Sequence, residues 1–228
     1  MNTMRMIRIA LAAVAAVLSV AAVEPHPDWT GHVTQTPTGS HLLGNPAARV
    51  KLAEYVSYTC PHCAHFNQAS EGPLKVAYVA EGKVSVEVRH LVRDPIDLAA
   101  ALLANCGDQT RFFERHNAFM ASQDQWLDKV FKASPAQRQA WSAGPLPQRL
   151  RGIAAAAGFY DIMARFEYGR PQVDRCLADE TMSQRLMGQT KAAIADGVQG
   201  TPSFSINGQL DDSVHDWDGL RALLDAKL

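Results

Sequence analysis

Two cysteines stand three positions apart in Tyr58-Thr59-Cys60-Pro61-His62-Cys63. Thiols at this spacing share one side of a helical turn, where they can close an intramolecular disulfide or remain a reactive dithiol. Other chemistries need more than this stretch offers. A zinc site asks for two further ligands, ordinarily from a second close pair, and the remaining cysteines, Cys106 and Cys176, lie far apart. Attachment of a c-type haem asks for His directly after the second cysteine, where the chain has Ala64. Thiol redox chemistry is the reading these residues support, with no metal and no cofactor expected.

The flanking residues say which sulfur attacks. Residues 50–57 form an apolar run expected as a buried strand, and Ala64-His65-Phe66-Asn67 reads as a helix start. In a strand–turn–helix frame Cys60 occupies the helix N-terminus, where unpaired N–H groups and the macrodipole favour an anion. Cys60 is therefore expected to have a depressed pKa and to be the nucleophile, with Cys63 its more buried partner. Pro61 suits the first helical position because its missing N–H would have no partner there. His62 lies beside the sulfur and can hydrogen-bond or charge-stabilise its anion. Glu54 falls inside the strand; an acid there is costly unless partnered, so it is either a functional acid or one end of a salt bridge. His65 and His90 are expected as surface or packing residues.

These groups need a scaffold, and the chain supplies one in a recognisable order. Residues 23–49 are rich in Pro, His and Gly, with one short strand expected at 32–35 and a turn at Gly44-Asn45-Pro46. The helix after the cysteines should run to about Ala80, interrupted at Gly72-Pro73 because Pro removes a hydrogen bond. Residues 84–89 alternate with period two and read as a strand. From Asp94-Pro95 onward the chain turns helical for about a hundred residues, with helices expected at 97–105, 111–122, 136–141, 148–157, 173–178 and 180–195. Phe112, Phe113, Phe119, Trp126 and Phe131 are expected in its core. Strand character returns at 201–206. Asn207-Gly208 then signals a two-residue hairpin leading to a short strand at 209–210 and a closing helix at 217–224.

The N-terminus carries its own message. Arg5 and Arg8 precede an apolar run at 9–20, and small residues follow at Ala21 and Ala22. The run falls short of the ~20 residues of a membrane span, so 1–22 is expected to be a cleaved signal peptide, with an uncleaved N-terminal anchor as the alternative. Export places the chain in a compartment where thiol pairs can stay oxidised, and a periplasmic location is the expectation. The full chain has 22 basic and 23 acidic residues, a net charge of −1, which leaves no footprint for nucleic acid. An even count of four cysteines in an exported chain favours two disulfides, one of them a structural Cys106–Cys176 staple; two free buried thiols are the alternative.

The stretch Glu54-Tyr55-Val56-Ser57-Tyr58-Thr59-Cys60-Pro61-His62-Cys63 is similar to the active-site motif of the DsbA family of exported thiol–disulfide oxidoreductases. Val198-Gln199-Gly200-Thr201-Pro202-Ser203-Phe204, followed by Asn207-Gly208, resembles the second signature of that family, and the resemblance extends over residues 40–228. It implies an α/β thioredoxin-like fold with an inserted all-helical domain: a first core part at 23–94, the insertion at 95–196 and a second core part at 197–228. It implies a cis bond between Thr201 and Pro202 facing the dithiol, where the residues alone would read as an ordinary trans proline opening an edge strand. Pro61, Thr201 and Pro202 are then the candidate client contacts, and Glu54 a proton acceptor beneath the buried cysteine. The family often supplies a partner lysine for that acid; residues 84–89 hold none. Some members also carry an additional disulfide in the helical domain.

The function implied is a dithiol oxidase that introduces disulfides into folding exported proteins with free thiols and is recycled by a membrane quinone-linked partner. An isomerase or reductase of the same fold is the nearest alternative, and Thr201 is compatible with it. The short segment 23–49 leaves no room for the dimerisation domain that isomerases use, so a monomer is expected. A glutathione-transferase relative is disfavoured because both cysteines are present. A non-catalytic metal or assembly chaperone is the reading from another class.

Overall fold

The computed structural model describes residues 27–228. The signal peptide expected at 1–22 lies outside the described residues. Six strands form one sheet: β1 (Val33–Gln35), β2 (His41–Leu43), β3 (Val50–Val56), β4 (Val84–His90), β5 (Ser203–Ile206) and β6 (Gln209–Asp211), in the spatial order β1-β2-β4-β3-β5-β6. Only β3 and β4 run parallel; every other neighbour is antiparallel. This central strand β3, flanked by β4 and β5, is the one that delivers the cysteines.

Alternation along β3 sorts its side chains between two faces. Val50 and Leu52 enter a core with Phe66 and Leu74 of helix α1 (Pro61–Leu74), together with Leu220 and Leu224 of the closing helix α10 (Trp217–Asp225). Tyr55 faces the other way, onto Ala193 of helix α9 (Glu180–Ala195) and Val198. The helical block thus does not stand apart from the sheet. Gln189 of α9 accepts a hydrogen bond from the His90 N–H at 2.9 Å, and the Thr190 hydroxyl accepts one from Val92 N–H at 2.9 Å.

The other helices between β4 and β5 are α2 (Pro95–Ala104), α3 (Phe112–Ala121), α4 (Gln123–Phe131), α5 (Pro135–Ala140), α6 (Leu146–Ala157), α7 (Phe159–Ala164) and α8 (Arg170–Cys176). Except for α5, whose residues are all exposed, their apolar faces form one continuous core with Val56, Tyr58, Cys60 and Cys63, so the redox end of the sheet is built into the helical region.

Several sequence expectations are corrected. Phe131 is 74% exposed and does not belong to the core. Trp126 and Val130 take the inner face of α4, and Phe131, about 100° further round the helix, points outward. Strand β2 and helices α4 and α7 are absent from the sequence expectations. Helix α1 runs through Pro73 without stopping, and the break comes directly after it as a π-helical turn at Lys75–Val79. Pro73 lacks the N–H that would continue the regular ladder, and the chain resolves the gap by widening the next turn.

Candidate active site

Strand β3 ends at Val56, and the loop Ser57-Tyr58-Thr59 turns the chain into α1 with Cys60 as the N-cap residue and Pro61 at the first helical position. The loop is short and buried, so its polar groups need partners. Asp97 of α2 partners two of them and the main chain of Arg93. Its carboxylate accepts from Tyr58 N–H at 2.7 Å, from the Ser57 hydroxyl at 2.6 Å and from Arg93 N–H at 3.0 Å. Burial nevertheless holds this carboxyl up at about 6. Asp94, the N-cap of α2, accepts from the Thr59 hydroxyl at 2.9 Å. From the other side, Gln123 of α4 donates to the Tyr58 carbonyl at 2.6 Å and to the Cys60 carbonyl at 2.9 Å.

The two sulfurs sit in unlike surroundings. Both cysteines are free thiols, with Cys60 3% exposed and Cys63 fully covered. The Cys60 thiol is brought down to about 5. A hydrogen bond from the Cys63 thiol contributes most, helped by the Thr201 side chain and the backbone N–H groups of Cys63 and His62, while burial works against the shift. The helix start adds its dipole in the same direction. Cys63 is pushed well above the ordinary thiol range by burial, then by its contact with Cys60 and that residue's negative charge. One sulfur is thus prepared as a thiolate and the other as its proton-bearing neighbour.

Opposite the dithiol, the peptide bond between Thr201 and Pro202 is cis. The Cys60 thiol donates to the Thr201 carbonyl at 3.1 Å. Thr201 Oγ1 is buried with no well-formed hydrogen bond of its own, and its proximity favours the anionic form of both sulfurs. Pro202 is buried and leads into β5, and its carbonyl meets His215 Nδ1 at 3.1 Å.

Among the sequence-derived candidates, Cys60, Cys63, Thr201 and Pro202 come together. Pro61 and His62 are exposed beside them. His62 acts on Cys60 through its main-chain N–H; its imidazole is exposed. Glu54 lies on the β3 face that packs against α1, between Val88 and Phe204 in the strand register. It is 5% exposed, and its Oε1 is buried without a hydrogen bond. Burial pushes its carboxyl up to about 8. The base on the neighbouring strand, Arg89, pairs with Glu87 at 2.8 Å on the opposite face and gives Glu54 no counter-charge. Cys106 and Cys176 are joined in a disulfide with a Cα separation of 5.7 Å, remote from the dithiol at the far end of α2. His65 is exposed, while His90 is buried and meets Asn105 Nδ2 at 3.1 Å. Among the described residues, no three His, Cys, Asp or Glu side chains gather as metal ligands.

Three supporting residues escape sequence reading: Asp94, Asp97 and Gln123. Asp94 had a signal, since Asp before Pro is a helix-start signature. Asp97 and Gln123 act across long sequence distances on a loop's main chain, and nothing local in the sequence marks that role.

The thioredoxin family model matches residues 35–226. A provisionally named protein-disulfide oxidoreductase of Rickettsia typhi is 32% identical over 169 residues, covering 73% of this chain and 54% of the relative. The chain spans about half the length of the curated relatives it matches. A crystal structure titled protein-disulfide isomerase from Novosphingobium aromaticivorans is 49% identical, covers 83% of this chain and 97% of its own, and superposes with a TM-score of 0.79. Alpha-DsbA1 of Wolbachia pipientis is 21% identical over 84% of this chain and 92% of its own, with a TM-score of 0.66, and speaks for the fold alone. The match over nearly the whole described chain carries the conclusion that this protein belongs to the thioredoxin family.

Proposed function

We propose that this chain is an exported dithiol oxidase that passes the Cys60–Cys63 disulfide to folding proteins with free thiols. The observation that carries the reading is the asymmetry of the two sulfurs, one brought down to about 5 and the other pushed well above its ordinary range. A client thiolate attacks Cys60 Sγ of the disulfide form, the S–S bond breaks, and Cys63 leaves and takes up a proton. A second client thiolate then attacks the client sulfur of the mixed disulfide, and Cys60 leaves as a thiolate. Two client thiols lose two protons and two electrons, and the enzyme's dithiol gains the electrons. A low-pKa leaving group speeds the second step, and a stabilised thiolate favours the reduced enzyme, which makes the protein oxidising.

The edge beside Thr201 and Pro202 suits an extended client segment, which would add to it by main-chain pairing. Glu54 is buried on the α1 side and suits proton exchange with Cys63 through the intervening space. Export rests on Arg5, Arg8 and the apolar run at 9–20. Recycling then requires a membrane partner that draws two electrons from the dithiol into a quinone.

The isomerase title of the 49% identical structure favours a second reading. Purified protein is mixed, in its disulfide form, with a reduced unfolded client and, in its dithiol form, with a scrambled one. Fast stoichiometric oxidation of the first, abolished by Cys60→Ser, is the expected result. Efficient reshuffling of the second with slow oxidation of the first would overturn the oxidase reading in favour of the isomerase.

A further inference from the structure

Between α1, α3 and the sheet lies a cavity of about 400 Å³ with Glu54 in its lining. That volume is the share of roughly a dozen liquid waters, yet Leu74, Val79, Val86, Val88 and Phe113 make much of its wall apolar. Its size lies within the range of small-molecule sites. One ionisable group in its lining is buried without a hydrogen-bond partner: Glu54, at its Oε1. Two buried polar groups beside it are already engaged. His116 Nδ1 shares a hydrogen bond with the Tyr58 hydroxyl at 2.9 Å, and Asn67 donates to Asn117 at 3.0 Å. At the rim, Arg111 is paired with Glu114 at 2.9 Å, and Glu71 accepts from Asn117 at 3.2 Å. Lys75 completes a rim of two acids and two bases, so the charge that selects a ligand is that of Glu54 on the floor.

We propose that this cavity binds a small organic ammonium ion, its apolar body against the valine and phenylalanine wall and its charged head paired with the Glu54 carboxylate. A buried carboxyl without a counter-charge is held neutral by desolvation; a cation beside it removes that penalty and lets it ionise. An anion meets no free cation on the floor. A neutral apolar molecule leaves Oε1 as unsatisfied as before, which costs it the affinity that an ammonium gains. The site stands on the cavity and on Glu54 alone and needs no thiol chemistry.

The linkage gives a readout other than affinity. With the free carboxyl up at about 8, Glu54 is protonated at pH 7, and pairing with an ammonium releases about one proton per ligand. Calorimetric titration of the full chain in its disulfide form with benzylamine, in two buffers of different ionisation enthalpy, measures that proton directly. Benzylamine is expected to bind with proton release and benzyl alcohol at least about tenfold more weakly. Glu54→Gln is expected to abolish the release and weaken benzylamine by a similar factor. Val33→Trp, which fills the mouth and leaves Glu54 in place, is expected to abolish binding in a protein whose circular dichroism is unchanged. Absence of benzylamine binding, equal binding of the alcohol, binding without proton release, or undiminished binding by Val33→Trp would each overturn the proposal. None of these outcomes bears on the oxidase reading, because no thiol enters the measurement.

Discussion

Cys60 Sγ donates to the Thr201 carbonyl at 3.1 Å, so the start of α1 and the loop before Pro202 meet at one sulfur. That contact needs the protonated sulfur, whereas the Thr201 side chain favours the thiolate. Replacing Thr201 by Val keeps the main-chain carbonyl and the branched shape but removes the hydroxyl. The Cys60 thiol of Thr201→Val is expected to titrate above the wild-type value of about 5. Ultraviolet absorbance of the thiolate against pH reads this directly, and a superimposable titration would assign the stabilisation to backbone groups and Cys63 alone.

The same low value couples redox state to stability. Folding lowers the Cys60 thiol from 9.0 to about 5, so the stabilisation is complete above the unfolded value and is lost as pH falls through about 5. Cys63 stays protonated across this window because burial holds it high. The stability difference between dithiol and disulfide forms is expected to move toward the dithiol by on the order of 1–3 kcal/mol from pH 5 to pH 8, discounted for partial solvation of the sulfur. Urea unfolding of both forms across that range checks it. A pH-independent difference, as a loop-closure effect alone would give, would refute the coupling.

Three buried histidines set the acid limit. His41, His90 and His116 gather around Phe112, and burial holds them at about 4, 3 and 3. Each binds its proton more readily in the unfolded chain, so their stabilisation is intact above the ordinary histidine value of about 6.5 and is lost as pH falls below it. Glu54 and Asp97 act with the opposite sign, since burial raises them to about 8 and about 6. Below about pH 6 the histidines outnumber the acids, and the disulfide form is expected to lose stability with falling pH. His90→Gln removes one titrating group, and its acid limb should be less steep by about one proton.

The second disulfide is expected to stabilise the fold without touching the chemistry. Cys106 and Cys176 close a loop with a sequence separation of 70, which the chain-entropy estimate values at about 4–5 kcal/mol. Helix α2 holds Asp97 against the active-site loop at one end and carries Cys106 just past the other, more than about 10 Å away along its axis. The double variant Cys106→Ala/Cys176→Ala should lose stability in urea by several kcal/mol while oxidising a reduced client at the wild-type rate below its unfolding transition.

What the sequence made legible is local chemistry. The cysteine spacing, the β3 run and the hairpin at Asn207-Gly208 were readable because each obeys a short-range rule; both hairpin residues have positive φ, 53° and 83°, as a primed turn requires. The division of α3 from α4 was hidden because no Gly or Pro marks it; the break falls at Ser122, whose hydroxyl turns back to the Ala118 carbonyl at 2.6 Å. Phe131 was misplaced because an aromatic type says nothing of its angle on a helix whose limits are unknown. The hold of Gln123 on Cys60 depends on α4 being folded against the loop, a relationship across 63 residues that no local pattern encodes.

Glu54 is where local and long-range readings meet, and it offers the sharpest kinetic test. It sits 5% exposed on the α1 face of β3, with its carboxyl pushed up to about 8 by burial alone. A group at that value can take and return a proton near neutral pH, which is what Cys63 needs when it attacks or leaves Cys60 in a place water reaches poorly. Glu54→Gln keeps the shape and removes the exchange. Release of the client by a second client thiolate, which expels Cys60 as a thiolate and does not involve Cys63, should proceed nearly unchanged, whereas resolution of the mixed disulfide by Cys63 should slow by about 10- to 100-fold, the lower end of the usual range for general acid–base catalysis. The wild-type resolution rate should vary with pH around 8, the range in which Glu54 titrates, and the variant should lose that dependence. Rapid mixing with a thiol-labelled peptide separates the two steps. Equal resolution rates with the same pH profile in both proteins would leave Glu54 with no part in the proton traffic, and a variant slowed equally in both steps would point to a distorted loop instead.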